Sequence, residues 1–237
     1  MHALANPARF SRLARPLTAW LGSLGTLLIA IGLGYGLFLA PPDYLQHESV
    51  RILYIHVPTA WLAMTGWAVI AGASLAQLVW RHPLAALGAR AAAVPGVVFT
   101  AMALATGSLW GRPTWGTYWE WDGRMTSVLV LLFLYIAYIA LAQAERERGG
   151  DGRTAAIFGL VGAINLPIIH FSVVWWRTLH QGQSISLSGS SIDASMLWPM
   201  LVSVLGFFLL FFAIVLMRMR TELARNRIEA RLRRLAE

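Results

Sequence analysis

Long apolar runs and short polar connections alternate along this chain. The runs cover residues 17–40, 57–80, 91–111, 125–144, 154–176 and 194–217; each is 20 to 24 residues long and contains no Asp, Glu, Lys or Arg. A helix rising about 1.5 Å per residue crosses the hydrocarbon core of a bilayer in about 20 residues. The runs lack the two-residue alternation of a barrel strand, and only helices or closed barrels satisfy their backbone in lipid. The pattern predicts an all-α integral membrane protein with six transmembrane helices. The first run is longer than the apolar part of a cleaved leader, about 7–15 residues, and runs directly into Pro41 and Pro42, so it reads as a retained helix.

Six passes put both termini on one side of the membrane. The far side then receives a loop at 41–56 with Asp43, His47, Glu48 and Arg51, a Trp-rich loop at 110–124 between helices three and four, and a Ser- and Gly-rich segment at 177–193. The termini side receives a turn at 81–90, the charge run ERERGGDGR and a basic tail. The division this predicts is a six-helix domain over 1–217 followed by a tail over 218–237. Helical spacing in the tail gives a stripe of Leu223, Ile228, Leu232 and Leu235 beside many Arg. That stripe suits a flank drawn to anionic lipid headgroups, or a docking helix for a partner. Pro95, Gly96 and Pro167 are places where a helix could break.

Composition agrees with lipid as the solvent: 57% of residues are hydrophobic and 13% charged, against about a quarter charged in soluble domains. All 19 basic residues are Arg, fifteen on the termini side and four (Arg51, Arg112, Arg124, Arg177) on the other. By the positive-inside rule the termini are cytoplasmic. With acidic residues included, the net +8 divides into +9 inside and −1 outside, a membrane asymmetry rather than a nucleic-acid signature. Having no Lys, the chain has no Walker A phosphate loop; having no Cys, it performs no thiol chemistry. Runs free of carboxylates and cations argue against an ion-coupled transporter. The only ionisable side chain inside a run is His170, for which a hydrogen-bonded neutral imidazole is the plainer role.

The stretch WGTYWEWDGRMTS, from Trp115, is where chemistry concentrates. An aromatic belt at the headgroups accounts for Trp20, Trp61, Trp80, Trp175, Trp176 and Trp198. It accounts less well for Trp110, Trp115, Trp119 and Trp121 in one connection, beside Gly111, Gly116 and Gly123. Rings among small residues form a flat apolar platform suited to a large planar ligand. On the same side, His56 stands at the start of helix two and His180 just beyond helix five. Two imidazoles, an aromatic platform and nearby Arg51, Arg112, Arg124 and Arg177 match what heme needs: axial ligands, apolar faces and cations for its propionates. The arginines serve equally well as ordinary interfacial anchors.

The segment LWGRPTWGTYWEWDGRMTS resembles the tryptophan-rich WWD signature of the heme-handling membrane proteins of cytochrome c biogenesis. With six spans, HVPTAW at residue 56 and a second His after helix five, the chain is similar to the short CcmC branch of that family. The resemblance covers nearly the whole chain. It implies His56 and His180 as axial ligands of a heme b on the periplasmic side. Trp110, Trp115, Trp119, Trp121 and Asp122 would form the platform, and Tyr118 stands where the family often has another Trp. Arg51 and Arg124 fall at positions the family tends to keep, while Glu120, Gly123 and Met125 depart from it mildly. The implied function is not enzymatic. It is delivery of heme to the periplasmic chaperone CcmE, within a complex containing a CcmA-like ATPase, a CcmB-like membrane subunit and a CcmD-like small membrane protein. Rival readings are a bis-His cytochrome b electron-transfer or quinol subunit, a heme permease acting alone, and a structural subunit whose Trp loop only contacts protein.

Overall fold

The computed structural model describes residues 6–236 apart from 177, 181, 183, 187 and 188. Its helices are α1 (Pro7–Phe38), α2 (Leu53–Trp80), α3 (Ala85–Trp115), α4 (Gly123–Glu147), α5 (Arg153–Gly162), α6 (Asn165–Trp175) and α7 (Ala194–Ala236). A 3-10 turn, Glu48–Ile52, leads directly into α2. A two-residue hairpin, β1 (Ile185–Ser186) with β2 (Gly189–Ser190), precedes α7. Six segments are long and apolar enough to cross a membrane, with α5 and α6 forming one of them. Large exposed side chains such as Trp20, Phe38 and Phe133 lie along their outer faces, as expected where the solvent is lipid.

Sequence neighbours do not all pack together. α1 lies along α7, α2 along α3, and α4 against α3, α5 and α6. The α1–α7 seam is built from backbone contact. A Cβ on Gly25 would lie 2.8 Å from Leu210 N, one on Gly206 2.7 Å from Ile29 N, and one on Gly32 2.7 Å from Ser203 N. Small residues let membrane helices approach this closely, which substitutes for the missing hydrophobic drive. On the other side of the bundle the core centres on Trp67, edge-on to Tyr135, Tyr138 and Phe158. Two of its polar groups are paired: Trp67 Nε1–H donates to Gly159 O at 3.1 Å and Tyr135 O–H to Ala63 O at 2.8 Å.

Three sequence expectations change. The fifth apolar run is not one continuous helix, for it breaks between α5 and α6. Pro167 has no N–H for the carbonyl four residues back, Ala163. That carbonyl instead accepts from Leu166 N–H at 3.0 Å, and Ala163 and Ile164 bond three residues back, so the chain tightens through one 3-10 turn. Buried Asn165 ties the break to α4 by donating to Ser127 O at 2.9 Å. Pro95 and Gly96, by contrast, leave α3 intact. The carbonyl that Pro95 frees, Ala91 O, accepts from Arg218 Nε at 3.2 Å, and Thr100 Oγ1 donates to Gly96 O at 2.8 Å. Lastly, the Trp-rich connection is shorter than 110–124: α3 continues through Trp115, so Trp110 and Trp115 are helical and only 116–122 is loop.

The basic residues after 217 continue α7 without interruption. Arg90 donates through Nε and Nη2 to Glu222 Oε2 at 3.2 and 3.1 Å, and Arg146 Nη2 donates to Asn226 Oδ1 at 3.0 Å. Leu223 packs on the core, while Ile228, Leu232 and Leu235 stay exposed.

Candidate functional site

At the far end of the bundle from the termini, α3 builds one wall of the site. His56 lies in the first turn of α2, and its Nδ1 is 3.0 Å from Thr106 Oγ1. With the Thr106 hydroxyl proton directed to Met102 O at 2.7 Å, and His56 bonded also to the Ala103 backbone, the arrangement suits the Nδ1–H tautomer, whose proton the Thr106 oxygen can accept. One residue on, Gly107 leaves the space that the ring fills: a Cβ there would lie 2.9 Å from His56 Cε1. One helical turn beyond Thr106, Trp110 meets the imidazole edge-on at 5.7 Å and donates its indole N–H to Gln46 Oε1 at 2.8 Å.

Asp122 organises the opposite wall. As the N-cap of α4 it accepts Met125 N–H on Oδ1 at 2.7 Å, while Oδ2 takes the Thr178 hydroxyl and lies 2.8 Å from His180 Nδ1. Thr178 Oγ1 also accepts the His180 backbone N–H at 3.1 Å. Trp115, the last residue of α3, stands against the His180 ring at 4.6 Å. Arg124 is half-buried beside Ser172, with Nε 3.4 Å from its Oγ, and interacts electrostatically with Asp122, His180 and His56. The two imidazoles interact electrostatically with each other.

The remaining expected residues divide. Trp119 and Trp121 meet edge-on at 5.3 Å; Trp121 is 73% exposed, whereas the Trp119 indole N–H is buried with no partner among the described residues. Trp176 closes against α4 at Gly123, where a Cβ would be 3.0 Å from its Cε3. Tyr118 is exposed under the Arg112 guanidinium. Arg51 is turned to the end of α1: it pairs with Glu48 and donates to Gly36 O and Leu37 O at 3.1 and 2.8 Å. Arg177 lies outside the described residues. His170 is on the exposed face of α6, edge-on to Phe171. Thr106, Gly107, Gln46 and Thr178 were absent from the sequence expectations. Thr106 and Trp110 share a helical face, and Thr178 precedes His180 by two residues, which are the only local signals of their roles.

The donor set is selective. With Nδ1 engaged as a donor, each histidine keeps its lone pair on Nε2, the arrangement typical of metal-ligating imidazoles. Among the described residues no group of three or more His, Cys, Asp or Glu is placed to hold a bare metal ion. Two imidazoles suffice, however, for an iron whose equatorial positions a macrocycle fills.

The family profile for heme exporter protein C matches residues 1–234. Curated relatives bearing that name are 53% identical in Bradyrhizobium diazoefficiens (96% of this chain, 86% of the relative), 46% in Escherichia coli K12 (93% and 89%) and 41% in Haemophilus influenzae (95% and 92%). The chain belongs to the heme exporter protein C family. As a member of the heme exporter protein C family it is a multi-pass membrane subunit of a heme-handling system and not an enzyme.

In this family member the electrostatics of the far wall favour a neutral imidazole beside an ionised carboxylate. Burial pushes His180 down and the Asp122 partner only partly offsets it, so the ring stays below its ordinary 6.5. Burial would raise the Asp122 carboxyl, but the bonds from Thr178, Met125 N–H and His180 outweigh it and hold it below 3.8. Both groups therefore bind fewer protons folded than unfolded. Stability from His180 is full above 6.5 and falls with pH below it; that from Asp122 is lost only as pH drops through its lowered value. Thermal unfolding in detergent is expected to be flat from about pH 8 to 7 and to decline below about pH 6.5. That decline should be shallower in His180→Ala than in wild type.

Proposed function

We propose that this protein holds a heme b on the periplasmic side of the bacterial inner membrane and presents it to the heme chaperone CcmE during cytochrome c maturation. His56 and His180 would hold the iron through Nε2. Trp110, Trp115, Trp119 and Trp121 would supply apolar contact to the macrocycle, with Tyr118 exposed beside them. Among the described residues, Arg124 and the Trp119 N–H, which has no partner there, are donors available to the propionates, while Arg51 contributes by capping α1 rather than by contact. The single observation that carries this reading is the pair of imidazoles, each engaged at Nδ1, one by the Thr106 hydroxyl and the other by the buried Asp122 carboxylate. The excess of arginine on the termini side supports a periplasmic site. The absence of a Walker A loop from the sequence fits a subunit that works with a CcmA-like ATPase, a CcmB-like membrane subunit and a CcmD-like small protein.

Heme chemistry here consists of coordination only. The chain's contribution is to hold two neutral imidazoles in one tautomer, to supply apolar faces, and to leave the rim accessible for release. A buried bis-His cytochrome is less well supported, because His170, the only histidine deep within a span, lies on the exposed face of α6.

The test is the absorption spectrum of the purified full chain beside His56→Ala, His180→Ala and the double variant. A low-spin bis-imidazole spectrum, weakened in each single variant and lost in the double, is the expected result. A colourless wild type after heme supplementation would sink the reading and leave the Trp-rich turn as a protein contact.

A further inference from the structure

The two imidazoles are held by unlike partners. His180 Nδ1 faces the carboxylate of Asp122 at 2.8 Å, and that carboxylate is buried and anchored at the start of α4. His56 Nδ1 faces the neutral hydroxyl of Thr106 at 3.0 Å, whose proton is already given to Met102 O. An anionic acceptor draws the Nδ1 proton toward itself and raises electron density at Nε2; a neutral hydroxyl orients the ring without strengthening it as a donor. The supports differ in shape as well. His180 sits on a loop and is held by side-chain bonds, whereas His56 is on a helix, with its ring in the gap left by Gly107.

We propose that Thr106 is a positioning residue which fixes the Nδ1–H tautomer of His56, and that His56 is the weaker of the two axial ligands and the first to be displaced. The proposal rests on the reading of both histidines as heme ligands. A site built this way would keep its cargo on the carboxylate-backed His180 while His56 gives way to an incoming nitrogen or oxygen donor. Without the Thr106 hydroxyl, the ring keeps only its bond to the Ala103 carbonyl, an oxygen it shares with the backbone of α3. The hold on the Nδ1 proton loosens. The imidazole then populates the other tautomer, which presents N–H rather than a lone pair at Nε2.

The experiment uses the heme-loaded full chain in detergent, reduced, with carbon monoxide as the probe. Carbon monoxide binds only where an axial ligand has left, so its binding rate reads dissociation of the weaker histidine. Thr106→Val is expected to raise that rate about tenfold or more, the scale on which orienting partners act on metal ligands, and to add a five-coordinate high-spin fraction. Thr106→Ser, which keeps the hydroxyl, is expected to stay within about twofold of wild type; should the valine variant not fold, Thr106→Ala takes its place. Heme retention through gel filtration identifies the ligand: His56→Ala should keep several-fold more heme than His180→Ala. An unchanged carbon monoxide rate without the Thr106 hydroxyl, or greater loss from His56→Ala than from His180→Ala, overturns the proposal. If both alanine variants retain the wild-type spectrum, it is the ligand assignment itself that fails, which is a different result.

Discussion

Asp122→Ala is expected to strip heme from the purified chain and to lower its melting temperature at the same time. The carboxylate caps α4 through Met125 N–H, binds Thr178 and holds His180. Losing an N-cap costs about 1 kcal/mol. Losing the partner that orients a metal ligand costs about 10- to 100-fold in affinity. Asp122→Asn separates the two roles. Asn caps helices as well as Asp does, so its melting temperature should fall less than that of the Ala variant. It brings no negative charge to His180, so heme affinity should still fall about tenfold. Equilibrium heme titration of the three proteins, alongside thermal unfolding, reads both quantities. Wild-type affinity in the Asn variant would mean that the carboxylate does not support His180 as a ligand.

Gly32→Leu is expected to be among the most damaging single changes outside the site. A Cβ at Gly32 would meet Ser203 N at 2.7 Å and Pro199 O at 2.8 Å, and backbone atoms cannot rotate away. Overpacking costs about 1–3 kcal/mol where side chains can adjust; here two helices must separate along their seam, so the cost should reach or exceed about 3 kcal/mol. Gly34 on the same helix faces outward, with nothing within 4 Å of the place a Cβ would take. Gly34→Leu should therefore melt like wild type and give the same monodisperse peak on gel filtration. If both variants behave alike, the seam between α1 and α7 is not what holds α1 in place.

The spans were legible because lipid demands a long uncharged run, and each of the six runs corresponds to one crossing segment. Their ends were not, since a helix continues past the hydrocarbon into the polar interface: α1 begins at Pro7, ten residues before its apolar run. Pro95 and Pro167 look alike in sequence, yet one is harmless and the other marks a break. The difference is Arg218, which caps the freed carbonyl from 127 residues away. In the site, aromatic and titratable residues announced themselves by type. Thr106 did not, because a hydroxyl in an apolar helix normally serves only its own backbone. Its second bond exists only once α2 is packed against α3.

The unbroken α7 also makes the molecule a lever. It is 43 residues, about 64 Å, of one rod. Met196 and Met200, near its first turns, share a cluster with Trp110, the ring that abuts His56, and its last third is clamped by Arg90 and Arg146 beyond the opposite face of the bundle. With the fulcrum at mid-bilayer, a tilt of about 5° at the clamped end swings the other tip by about 3 Å. Grip on one side of the membrane and fit on the other are thus geared through a single piece of secondary structure.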